Sequence, residues 1–77
     1  MKNNKLLFVV HKPGGGGTEA INPNMIESMR RAGAAHVSDA NTIIRTGSGR
    51  EITTTENYDK SVEEWYSLLE QWRGNNG

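Results

Sequence analysis

NPNMIESMRRAG, residues 22–33, decides the fold, because it can be read two ways. As a helix it is locally sound: Asn22 suits the N-cap, Pro23 the first helical position, and Gly33 the terminator. Met25, Ile26 and Met29 then share one face. As a strand, Asn22, Pro23 and Asn24 form a tight turn and an extended segment runs from Met25 to about Arg30. The residues of this stretch leave both readings open.

Downstream, AAHVSDAN (residues 34–41) is small and polar and reads as a loop. TIIRTGSGREITTT (residues 42–55) reads as a hairpin, with β-branched residues flanking a glycine-rich turn. Its register follows from charge and apolar matching. A loop of Gly47, Ser48 and Gly49 sets Ile44 opposite Ile52 and Arg45 opposite Glu51. A Gly47-Ser48 turn would oppose Arg45 to Arg50, and a Ser48-Gly49 turn would lose the isoleucine pair. The first register places both isoleucines on the core face and the charged pair outside.

The clearest element is C-terminal. Ser61-Val62-Glu63-Glu64 fits a capping box, with Asn57 or Asp59 as caps one turn earlier. Val62, Trp65, Tyr66, Leu69 and Trp72 recur at helical spacing as one apolar stripe. Arg73 suits the last turn, Gly74 should end the helix, and residues 74–77 read as a flexible tail. The stripe must pack on a sheet.

Upstream, KLLFVVH (residues 5–11) is a continuous apolar run and predicts a strand buried on both faces. Its second face is covered either within the chain or by another copy, which would place Leu6, Phe8 and Val10 at an oligomer interface. TEAIN (residues 18–22) can return antiparallel to it. Together these segments predict an α+β domain spanning residues 1–77, a small antiparallel sheet of about four strands with an amphipathic C-terminal helix across one face.

Between the first two strands stands HKPGGGGT. Four consecutive glycines sacrifice much backbone freedom unless geometry or a ligand requires them. Exposed glycine amides can cradle an anion. Such a site would combine Gly14, Gly15, Gly16 and Gly17 with Thr18, His11 and Lys12, and Arg45 and Arg50 from the second hairpin could converge on the same phosphate. Neither specific phosphate motif is present: no Lys-Ser/Thr follows the last glycine, and Glu19 stands where a dinucleotide fingerprint needs glycine. The plain alternative is a permissive turn, with Arg45 and its neighbours paired to Glu51 and Glu27.

Composition narrows the function classes. Four leucines, five isoleucines, four valines and one phenylalanine are a thin core for 77 residues, and there is no cysteine to staple it. A partner subunit is the usual remaining stabiliser, so the chain reads as a homo-oligomer. Nine basic residues balance nine acidic ones, which argues against nucleic acid or an anionic membrane as partner. No apolar run approaches the roughly 18 residues of a membrane span, and LLFVV is too short for a signal-peptide core, so the cytoplasm is the default compartment. His36 with Asp39 supplies at most two metal ligands, so no metal is expected. The serines lie in no nucleophile motif, Glu63, Glu64 and Glu70 suit an exposed helix face, and no catalytic residue or cofactor is expected.

The segment from Thr42 to Trp65 resembles the FlbD-like family of small flagellar and swarming-motility proteins. Gly49 in the hairpin turn, Glu56 after it and the Ser61-Val62-Glu63-Glu64 helix start carry the resemblance, with Asn22, Pro23, Ile26 and Glu27 matching an upstream extended segment. The four glycines and about half a dozen extra residues between Ile26 and Thr42 depart from that pattern. The resemblance favours the strand reading of residues 22–33 and implies a small cytoplasmic regulatory protein with no catalytic residues. Two functions are therefore expected. The first is a non-enzymatic regulatory module that self-associates and binds another protein. The alternative is an oligomeric binder that sequesters a small anionic ligand, such as a nucleotide, at the glycine loop.

Overall fold

The computed structural model describes residues 6–33 and 39–76. It resolves the ambiguity of residues 22–33 in favour of strand. The elements run β1 (Phe8–His11), β2 (Thr18–Ile21), β3 (Ile26–Arg31), β4 (Thr42–Thr46), β5 (Glu51–Thr54) and α1 (Tyr58–Asn76), with a 3-10 turn at Pro23–Met25 before β3. The fold is α+β. Its five strands form two antiparallel sheets, β1-β2 and β3-β4-β5, rather than one sheet of about four.

The pattern of residues 22–33 mimics a helix for a physical reason. Ile26 pairs with Thr46 but Ser28 with Arg45, so Glu27 is the extra residue of a β-bulge. The bulge shifts the alternation of side chains by one, which puts Ile26 and Met29, three residues apart, on the same buried face. Asn22 does cap, but it caps only the 3-10 turn, its side chain accepting from the Asn24 amide at 2.8 Å.

The second hairpin has the register expected of it: Ile44 opposite Ile52 and Arg45 opposite Glu51. Thr46 N–H donates to the Arg50 carbonyl at 2.9 Å and closes the loop of residues 47–49. Gly49 has φ of 90°, the left-handed conformation that a three-residue hairpin loop requires at its end.

β1 departs from expectation. Phe8 and Val10 are 1 % and 0 % exposed, whereas Val9 between them is 51 % exposed. The strand is buried on one face, not two. β1 pairs with β2 over four residues, Phe8 opposite Ile21 and His11 opposite Thr18. The opposite edge of β1 meets the end of β5, where Thr55 N–H donates to the His11 carbonyl at 2.9 Å. The two sheets do not merge further. Two residues past His11 stands Pro13, which has no N–H to extend the ladder.

α1 begins one turn before the expected capping box. Asn57 Oδ1 accepts from the Lys60 amide at 3.0 Å, and Ser61, buried in the first turn, donates its hydroxyl to the Asn57 carbonyl at 2.7 Å. Gly74 does not stop the helix, which continues to Asn76 in place of a tail. The stripe is also rotated: Leu68 is buried while Tyr66 is exposed and stacks on Trp65. Two indoles anchor the helix, Trp65 to the Pro23 carbonyl at 3.0 Å and Trp72 to the Leu6 carbonyl at 2.7 Å. Leu68, Trp65, Trp72, Val62 and Tyr58 cover a core of Leu6, Phe8, Val10, Ile21, Ile26, Met29, Ile44 and Ile52. Among the described residues, no helix is long and apolar enough to cross a membrane.

Candidate functional site

The glycine loop is ordered by backbone geometry. Gly14, Gly15 and Gly17 have φ of 67°, 74° and 87°, in the left-handed region that glycine enters without strain. Gly16 has an ordinary φ, but a Cβ there would sit 3.0 Å from Cβ of Lys12. All four glycines therefore have a conformational reason. Lys12 N–H donates to the Gly17 carbonyl at 2.8 Å, and Gly16 N–H to the Pro13 carbonyl at 3.2 Å.

The expected cations gather only in part, and they gather on carboxylates of the chain itself. Arg50 grips Glu19 with both terminal nitrogens at 2.7 Å, and Lys12 Nζ reaches the same carboxylate at 3.0 Å. The two hydrogen-bonded cations hold the Glu19 carboxyl down to about 2, well below the usual range. Glu19 in turn holds the Arg50 guanidinium above its ordinary pKa. Arg45 stays apart: its Nε bonds Glu27 at 3.0 Å and its Nη1 lies 3.6 Å from Glu51, as the plain reading of a solvated surface expects. Arg30 completes that outer network through Glu51 at 3.0 Å.

Two further carboxylates occupy the loop. The Glu56 carboxylate lies 2.6 Å from His11 Nδ1 and accepts from the His11 backbone amide at 3.1 and 3.2 Å. Asp39 accepts from the Gly14 amide at 3.2 Å. Thr18 is exposed opposite His11. Thus His11, Lys12, Gly14 and Arg50 each meet an internal anion where the anion-nest alternative would place a phosphate. Glu19, Glu56 and Asp39 were missed as site residues. Only Glu19 left a legible signal, since it stands directly across the ribbon from Val10 on the face that Lys12 shares.

Leu6, Phe8 and Val10, expected at an interface between copies, are packed into the core of their own chain. Among the described residues the exposed large apolar side chains are instead Val9, Met25 and Tyr66. His36, half of the two-ligand metal pair weighed above, lies outside the described residues, as does most of the loop at 34–41. Among the described residues no three His, Asp or Glu side chains come together.

One open cavity of about 270 Å³ lies beside the loop, and another of about 230 Å³ lies between β2 and the second hairpin. They adjoin at Arg50 and Ile52, which line both. Comparison with protein-family models, with curated proteins and with solved structures finds no match.

Proposed function

We propose that this protein is a non-enzymatic cytoplasmic regulatory module that self-associates and acts by binding another protein. The observation that carries this reading is the internal neutralisation of the glycine loop. Glu19 lies between Lys12 and Arg50, Glu56 holds His11, and Asp39 holds the Gly14 amide. A phosphate seated within the loop, on the Gly14 amide, His11 and Lys12, would have to displace carboxylates that are tethered at high effective concentration, whereas the outer side of Arg50 lies outside that enclosure. The thin core supports self-association, and the regulatory role rests on the FlbD-like resemblance.

The rival reading, an oligomeric sink for a small anion such as a nucleotide, draws on one specific contact. Lys12 and Arg50 do converge, as that reading requires, although on Glu19. Thermal shift against a nucleotide panel separates the two. A ligand at 100 times its dissociation constant stabilises a protein by about 2.7 kcal/mol. We expect a flat panel, together with a mass above that of one chain by light scattering. A clear shift with any nucleotide would establish the rival, and a monomer at high concentration would remove self-association from the proposal.

A further inference from the structure

The cavity beside the glycine loop and the one between β2 and the second hairpin share Arg50 and Ile52, and together they make a groove with a distinct chemical pattern. Lys12 and Pro13 wall the first, Ile21 and Met25 the second, and Arg50 stands over Ile52 where they meet. Glu19 takes one donor from each terminal nitrogen of Arg50, whose guanidinium has five N–H donors in all. The Arg50 side chain is 54 % exposed, and three of its five donors are left over from the Glu19 contact. Lys12 and Arg50 share a single carboxylate and leave one positive charge uncompensated. Glu51, also on the groove, is already engaged by Arg30 and Arg45. Met25, at the far end, is 55 % exposed and presents an apolar side chain to the second cavity.

We propose that this groove receives an extended peptide segment of a partner protein in which an acidic side chain lies between two apolar ones. The acidic group meets the open donors of Arg50, and the apolar side chains enter the cavities on either side. Charge complementarity selects the central residue, and a second carboxylate can bind without displacing Glu19. The β1-β2 ladder adds a backbone component. Because Lys12 bonds to Gly17 across it, the alternation of the ladder turns the N–H and C=O of Ala20 away from β1, and Ala20 lines the second cavity. This inference rests on the protein-binding reading above and names the surface for it.

Its test is amide chemical-shift mapping on the 77-residue protein, with the blocked peptide Leu-Ser-Glu-Ser-Leu as probe. The expected shifts fall on Gly16, Ile21 and Ile52. Replacing the central glutamate of the peptide by glutamine, or Arg50→Met in the protein, should weaken binding about tenfold. Met25→Ser, at an exposed position outside the core, should weaken it with the fold intact. Equal binding of the glutamate and glutamine peptides, shifts confined to other surfaces, or no shift at millimolar peptide would each overturn the proposal. So would inorganic phosphate that moves the same amides as strongly as the peptide does. A chain that self-associates but ignores the peptide loses this site and keeps the proposed function.

Discussion

The ribbons β1-β2 and β4-β5 are both antiparallel pairs closed by glycine-containing turns, yet they are held by different means. β4-β5 is built from neighbours. Its loop spans residues 47–49, its inner isoleucines face each other, and Arg45 and Glu51 stand opposite across the strands. β1-β2 is paired locally too, but distant residues hold it in place. Its loop end is tied by Glu56 to His11 across 45 positions, by Arg50 to Glu19 across 31 and by Asp39 to Gly14 across 25. A turn whose partners are local carries its register in its own residues. A ribbon whose partners are remote does not.

The contrast can be tested from its largest effect down. Phe8→Ala, on the inner face of the glycine ribbon, should cost about 3–5 kcal/mol, as expected for a fully buried aromatic side chain. In so small a domain that is a large share of the stability, and urea unfolding would show it. If Phe8→Ala cost under about 1 kcal/mol, the ribbon would not be part of the core. Next come the turns. Gly49→Ala forces a left-handed alanine into a loop fixed by register and should cost about 1–2 kcal/mol. Gly15→Ala meets open space in a longer loop able to share the strain, so a smaller loss is expected. A reversed order in the two melting temperatures would mean the glycine loop is the more rigid turn.

Thr54 offers a gain instead of a loss. Its hydroxyl is fully buried on β5 and finds no hydrogen-bond partner among the described residues. Thr54→Val keeps the shape and removes the unpaired polar atom, so stability should rise by about 1 kcal/mol. A loss of stability would point to a partner for that hydroxyl. The smallest effect is the acid response of Glu19. Its carboxyl is held at about 2 in the fold, against 4.5 as its ordinary value. The contact therefore contributes fully above pH 4.5 and is lost as pH falls from there towards 2. Denaturation midpoints of the parent should fall more across that window than those of Glu19→Gln. Parallel curves would show that solvent screens the pair completely.

Legibility in the sequence tracked locality. The second hairpin could be written down to its opposed pairs, because turn chemistry and charge matching act within a dozen residues. The helix was legible in kind, and of the caps the sequence offered Asn57 prevailed over Ser61. Its buried line also rotated to include Leu68 at the expense of Tyr66, since the sheet beneath decides which arc of a wide apolar face is covered. Residues 22–33 stayed open between helix and strand for a definite reason: the bulge at Glu27 spaces Ile26 and Met29 as a helix would. For the candidate site, the sequence named Lys12 and Arg50 but not the carboxylate that unites them.

What the residues determined alone is the set of local preferences: an α+β domain, the β4-β5 register, a C-terminal helix and a turn at the glycines. What only tertiary structure decided is which of those preferences prevailed and what each charge meets. Strand β3 exists because β4 supplies the hydrogen bonds its backbone needs, and Phe8 and Val10 turn inward because the helix and the three-stranded sheet enclose them. Glu19 meets Arg50 only after two ribbons have packed. Such contacts depend on closing long loops of chain, and no short window of sequence contains both partners.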